Sequence, residues 1–325
     1  MDSWTEQSNG APISMSYQLA TALADGSPVP IMAVAGKLYA LREVVAESGV
    51  TLPTSLLQIF DGWSEWQPRL RKLAEEIRSA PTVREGALPT IPIWCAPVLN
   101  PRKLICIGAN YADHVGAMGS GTKEKPDAPY SFIKPATTTL VGSGAEVQLP
   151  AESKMVDWEG ELGVVIGRRV RRVKEADALE CVAGYSVVND LSARDWIAAS
   201  PEMLGIDWVR QKAFDGFCPM GPFVTPAEFI PDPQNLDVRL WVNGEIKQES
   251  NTAHMIFSVA EIIAHLSSIM TLEPGDIIAT GTPDGVGYSR QPKEFLQQGD
   301  KVTVQIGNLG RLETTMVADL STVAL

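Results

Sequence analysis

The chain is short of histidine, short of aromatic residues and has no surplus of positive charge. Its three histidines are His114, His254 and His265, so any imidazole chemistry falls to one of them. Lys and Arg number 27 against 39 Asp and Glu, a net charge of -12. That balance, with a pI near 4.8, argues against nucleic acid or an anionic membrane as a partner. The four cysteines, Cys95, Cys106, Cys181 and Cys218, form no CxxC pair. Their wide spacing gives neither a disulfide framework nor a zinc site, and buried free thiols in a reducing cytosol are expected. No apolar run approaches the roughly 20 residues of a membrane span. The N-terminus, Met1-Asp2-Ser3-Trp4-Thr5-Glu6-Gln7, lacks a basic start and an apolar core, so no signal peptide is expected and the expected location is cytoplasmic.

What is present is an ordinary globular composition, 45% hydrophobic and 20% charged over 325 residues, enough for one large domain with a small one attached. Residues 17–24 and 29–34 alternate like two strands, and 38–41 adds a third, a small β-meander. Helices are expected over 54–60 and 64–79, the second with Ser64 and Gln67 as a capping box and Leu70, Leu73, Ala74 and Ile77 on one face. Prolines 81, 89, 92, 97 and 101 then read as an extended connector. The domain boundary falls there, giving a small N-terminal region over 1–95 and a main domain over 96–325. In the latter, short apolar strands recur at 103–107, 130–133, 161–166, 182–188, 236–242, 276–280 and 301–306. Asn243-Gly244 signals a two-residue hairpin, and Ser258 with Glu261 forms a capping box for one clear helix whose stripe is Val259, Ile262, Ile263, Leu266 and Met270. Regular βαβ alternation is missing, so the fold class is α+β, mainly β, rather than a doubly wound sheet.

The chemistry starts at Asp157-Trp158-Glu159-Gly160-Glu161-Leu162. On a strand, Glu159 and Glu161 point the same way. Two carboxylates on one face repel unless a cation lies between them, and oxygen-only ligands suit Mg²⁺, Mn²⁺ or Ca²⁺; a solvent-facing edge strand is the alternative. Asp190, at the end of the strand over 182–189, is a third carboxylate, and three in one site cannot all stay ionised without a cation. Its alternative role is to cap the next turn with Arg194 as salt-bridge partner. The loop Thr280-Gly281-Thr282-Pro283-Asp284-Gly285 is no phosphate P-loop, since it lacks a GK[ST] ending. Its glycines allow backbone N–H groups near a ligand oxygen, or simply a tight turn.

Six segments in order resemble the fumarylacetoacetate hydrolase family: Ile107-Gly108-Ala109-Asn110-Tyr111-Ala112-Asp113-His114; Phe132-Ile133-Lys134-Pro135; Asp157 to Leu162; Asn189-Asp190 with Ala193-Arg194-Asp195; Lys212 with Phe214-Asp215 and Gly221-Pro222; and Pro274-Gly275-Asp276 followed by Gly281-Thr282-Pro283. The resemblance covers roughly residues 100 to 320. It implies a mixed β-roll catalytic domain, commonly a homodimer, with a divalent cation, Mg²⁺ first and Mn²⁺ or Ca²⁺ as alternatives. It assigns the metal to Glu159, Glu161 and Asp190, catalysis to His114 and Lys212, and the substrate surroundings to Tyr111, Arg194, Gly281, Thr282, Ala117 and Ile197. It implies hydrolysis of a C–C bond in a small 2,4-dioxo acid, with a water activated by His114 and an enolate leaving group. Two positions depart from the pattern. Ala117 stands where many members carry the Glu of His-x-x-Glu, and Ile197 where many carry Gln. Both changes weaken the case for water activation, and they keep decarboxylation, tautomerisation or dehydration of an oxo acid open as alternatives.

Overall fold

The structure is a computed structural model that describes residues 17–45, 53–79, 92–112, 125–198 and 205–319. The first strands are β1 (Gln18–Ala24), β2 (Ser27–Val34), β3 (Lys37–Ala40), β4 (Ile93–Trp94), β5 (Leu104–Gly108), β6 (Tyr130–Ile133), β7 (Leu140–Val141) and β8 (Ala145–Leu149). Around the acidic residues lie β9 (Val156–Asp157), β10 (Gly160–Ile166), β11 (Val182–Asn189), β12 (Ser192–Ala193), β13 (Cys218–Pro219) and β14 (Phe223–Pro226). The remainder are β15 (Asp237–Val242), β16 (Glu245–Asn251), β17 (Ile277–Ala279), β18 (Lys301–Ile306) and β19 (Arg311–Ala318). Helices are α1 (Leu41–Val45), α2 (Leu56–Asp61), α3 (Trp63–Ser79), α4 (Glu175–Ala178), α5 (Trp208–Lys212) and α6 (Val259–Ile269). The fold is α+β and mainly strand, as the punctuated apolar runs predict.

Two sheets hold the core. One runs β3-β2-β1-β14-β11-β10-β17-β5-β6, with β4 on β1; the other runs β16-β15-β18-β19-β8. All seven residues of β10 are buried, which is why Leu162 to Ile166 read as a continuous apolar run rather than an alternation. Its two faces nevertheless serve different cores. Leu162, Val164 and Ile166 pack with Val238, Leu240 and Val304 of the five-stranded sheet and with Ile262, Ile263 and Leu266 of α6. Val165, with Val188 of β11 and Ala183, packs instead with Ile59, Phe60 and Trp63 of the N-terminal helices. The N-terminal meander is joined to the main domain by backbone pairing, since β1 runs antiparallel to β14 through Leu19↔Val224 and Ala20↔Phe223.

Local signals account for most boundaries. The Ser258 hydroxyl accepts from the Glu261 N–H while the Glu261 carboxylate accepts from the Ser258 N–H, a complete capping box at the start of α6. Asn243 and Gly244 have φ of 52° and 81°, the left-handed pair that a type I′ hairpin between β15 and β16 requires. The capping box expected at Ser64 does not form. Helix α3 begins at Trp63: Gly62 closes α2 with its N–H on the Phe60 carbonyl, and its own carbonyl accepts from Glu65 and Trp66, so Ser64 already lies inside the first turn. Among the described residues no helix is long and apolar enough to cross a membrane.

Candidate metal centre

The centre is built on the paired ends of β10 and β11. Their register places Gly160 opposite Asn189 and Glu161 opposite Val188. Glu159 precedes β10, and its carbonyl accepts from the Asp190 N–H at 2.9 Å, so the two chain ends are clamped where the carboxylates emerge. Each of Glu159, Glu161 and Asp190 is buried, and one ligand oxygen from each lies within 4.8 Å of the others. The convergence expected from alternation therefore occurs, and the edge-strand alternative is excluded because β10 sits between β11 and β17.

Three cations surround the acids. Lys212 directs its ammonium at Glu159 Oε2 (2.7 Å), Asp190 Oδ2 (2.7 Å) and the Asp190 carbonyl (3.0 Å). Burial works against that charge, but Asp190 and Glu159 outweigh it and hold the ammonium above its ordinary range. Lys134 donates to Asp190 Oδ1 at 2.5 Å and to the carbonyls of Phe217 (2.6 Å) and Leu191 (3.4 Å). Arg194 does not pair with Asp190. Its Nε donates to Asp157 Oδ2 at 2.9 Å and its second nitrogen lies 2.7 Å from Glu159 Oε1, because the turn after β12 carries it back toward β9, which pairs with β12. Burial again opposes its charge, and Glu159 and Asp157 overcome it.

Glu161 differs from its neighbours. It accepts from the Gly281 N–H at 2.7 Å but has no ion pair among the described residues. Burial, then the nearby Asp190 and Glu159 charges, push its carboxyl well above the usual range. A buried acid beside two others and without a direct counter-ion is the arrangement a hard divalent cation relieves, and an all-oxygen donor set is what such a cation takes. The residues present fit that group.

The expected substrate surroundings divide into three sets. Gly281 and Thr282 are in place: Gly281, with φ 96°, feeds its N–H to Glu161. The Thr282 hydroxyl donates to the Gly160 carbonyl (3.0 Å) and accepts from Gln248 Nε2 (2.8 Å), which ties it to the backbone between the two glutamates. Tyr111 is fully buried and its backbone bridges to Met255. Ile197 is half-buried, and its carbonyl accepts from Asp207, the residue that caps α5. His114 and Ala117 lie outside the described residues. The segment before them is pinned by Asn110, whose amide donates to the Phe257 and Thr280 carbonyls and accepts from the Phe257 N–H.

Sequence reasoning did not assign Lys134, Asp157, Ser192 or Gln248 to the site. Lys134 carried a signal, a lysine closing an apolar strand before Pro135. Gln248 carried none: it reaches the loop from β16 in the other sheet, where its Oε1 accepts from the Gly160 N–H at 2.9 Å. Three of the four thiols are buried, as expected, and Cys95 is half-buried. All four are free, and burial pushes Cys218 up to about 12.

A mainly-β fold with three buried carboxylates converging at its strand ends offers an all-oxygen candidate site for a divalent cation. The fumarylacetoacetate (FAA) hydrolase C-terminal family model matches residues 103–317, and the chain belongs to the fumarylacetoacetate hydrolase family. A mitochondrial oxaloacetate tautomerase of Xenopus laevis is 44% identical over 222 residues, 68% of this chain and 67% of that protein. Among solved structures, a fumarylacetoacetate hydrolase from Exiguobacterium antarcticum is 33% identical with a TM-score of 0.75, covering 94% of this chain and 100% of that one. A fumarylpyruvate hydrolase from Pseudomonas aeruginosa in complex with Mn²⁺ and pyruvate is 30% identical with a TM-score of 0.61, over 73% of this chain and 94% of that one.

Proposed function

We propose that the protein is a divalent-cation-dependent tautomerase of a small 2-oxo acid, oxaloacetate or a close relative, using Mg²⁺ or Mn²⁺. The observation that carries this reading is the state of the acids. Among the described residues every carboxylate of the centre is engaged, Asp157 with Arg194 and backbone N–H groups, Glu159 and Asp190 with lysines, Glu161 with Gly281. These carboxylates are held within the centre rather than presented to a water, and His114, the group expected to activate one, lies outside the described residues. The relative that is 44% identical carries the name oxaloacetate tautomerase, and Ala117 stands where a His-polarising Glu would favour hydrolysis.

The chemistry asks little more than charge management. In the keto-to-enol direction the C3–H bond breaks, its proton passes to a solvent water and its electron pair forms the C2–C3 double bond, while the 2-oxo oxygen takes up the negative charge and then a proton from solvent. Held by Glu159, Glu161 and Asp190, a divalent cation would supply Lewis-acid stabilisation of the developing enolate. Lys212 and Lys134 add fixed positive charge in a buried setting where it stabilises an enolate more than in water. Gly281 and Asn110 hold the loop that orients Glu161.

The test is to follow purified protein with Mg²⁺ or Mn²⁺ and freshly dissolved enol-oxaloacetate by ultraviolet absorbance, with acylpyruvates in parallel and products read by mass spectrometry. Accelerated enol decay with no new acids supports the reading. Cleavage of an acylpyruvate into two acids makes the protein a hydrolase, and CO₂ release makes it a decarboxylase.

A further inference from the structure

The two lysines of the centre have no donors to spare. Lys212 has three acceptors among Glu159 and Asp190, and Lys134 has three among Asp190, Leu191 and Phe217. A substrate held by its carboxylate and oxo oxygens still presents a far end, and that end needs other partners.

Gln211 precedes Lys212 on α5 and is 0% exposed. Among the described residues neither its Nε2 nor its Oε1 has a hydrogen-bond partner, which is rare for a buried amide in a folded protein. The helix presents one face inward. Val209 is 66% exposed, whereas Trp208 stacks on Phe132 with ring centroids 4.3 Å apart. Gln211 and Lys212 stand three and four residues further on, so all three side chains share that inner face. The other buried member of that face, Lys212, ends at the acid cluster, and the helix packs on β12 and the turn after it, the segment that leads away from Asp190.

We propose that the Gln211 amide is a substrate-positioning group that holds the end of the oxo acid remote from the acid cluster. The inference rests on the oxo-acid reading above and names the class within it. An amide offers two N–H donors and one acceptor. A 2-oxo dicarboxylate presents at that end a carboxylate that accepts from the amide N–H donors. A monocarboxylate such as pyruvate has nothing to place there. The amide is left unmet until the ligand arrives, which makes it a selectivity device, because a substrate lacking the matching group leaves buried polar atoms unpaired.

The experiment titrates the intact protein with Mg²⁺ present, using fresh oxaloacetate and pyruvate as probes, in the parent and in Gln211→Leu, and records thermal melting of both. The expected result is oxaloacetate binding weakened on the order of tenfold, as for loss of a hydrogen bond to a charged group. Pyruvate binding is unchanged and the melting temperature is equal or higher, since an apolar isostere relieves an unmet amide. A second variant, Gln211→Glu, places a negative charge against the carboxylate and weakens oxaloacetate further while sparing pyruvate. Equal weakening of both ligands, no weakening of either, or a lowered melting temperature without a change in selectivity overturns the assignment. If the parent binds neither ligand, the oxo-acid reading itself fails and the assignment falls with it, an outcome separate from bound ligands with unmoved selectivity.

Discussion

At the scale of single residues, Glu161 concentrates the electrostatic tension of the centre. Replacing it by Gln removes a buried charge that has no ion pair among the described residues. Metal-free Glu161→Gln is expected to melt higher than the parent, while its affinity for Mn²⁺, measured by calorimetry, falls by more than the roughly 10–100-fold seen when only a supporting partner of a ligand is lost. The pH dependence has a definite sign. The folded carboxyl titrates above its unfolded value, so its contribution is fully present below about 4.3 and is lost as pH rises through the raised value. Chemical denaturation of the metal-free parent should therefore show stability eroding upward from the carboxylate range, with a shallower slope in Glu161→Gln; an unchanged slope would count against the tension argued here. Lys134 is the complementary case. Lys134→Met takes the buried ammonium from Asp190 Oδ1 and two carbonyls, leaving Lys212 as the remaining cation on Asp190. The loss of one partner of a buried pair costs about 3–5 kcal/mol, readable as a lowered denaturation midpoint.

The elements show which sequence signals were sufficient. The strand at 160–166, the hairpin at Asn243-Gly244 and the cap at Ser258 follow from side-chain period, left-handed turn residues and a local hydrogen-bond pair, all of which are short-range. Ser258→Ala should cost about 1 kcal/mol, seen as a small uniform loss of thermal stability with metal affinity intact. Where a choice depended on distant neighbours, the sequence was silent or misleading. Ser64 resembles a cap but is pre-empted by Gly62. Arg194 sits near Asp190 in sequence yet pairs with Asp157 and Glu159, because β12 pairs with β9. Gln248 joins the site only because two sheets pack face to face. The three acids were legible for a different reason: their convergence needs only alternation along one strand and a neighbour ending beside it. Gly281 joins this scale too. Its φ is 96°, and a Cβ there would lie 2.7 Å from Asn110 Cβ. Gly281→Ala should shift the loop, withdraw its N–H from Glu161 and weaken Mn²⁺ binding.

For the whole molecule, the regions on either side of the change of texture near residue 95 share a sheet and a core. The ten-stranded sheet joins them at the β1–β14 pair, and the N-terminal helices share a core with Val165, Ile277 and Ala279. A truncated chain of residues 96–325 would expose that apolar surface and an open β14 edge, and is expected to aggregate on expression. Calorimetry of the intact chain is expected to show one cooperative transition; two separated transitions would mean the regions fold apart.

The register between β10 and β11 has a further consequence. The acids are spaced by hydrogen-bonded main chain, with Gly160 facing Asn189 and Glu161 facing Val188, so a slip of a single residue would turn Glu161 to the opposite side of the sheet. The centre is thus gauged by the pleat, much as a ruler's marks are fixed by the wood. Surface loops can be exchanged for those of a relative to retune which acid enters, and the spacing of the three oxygens should stay where the strands put it.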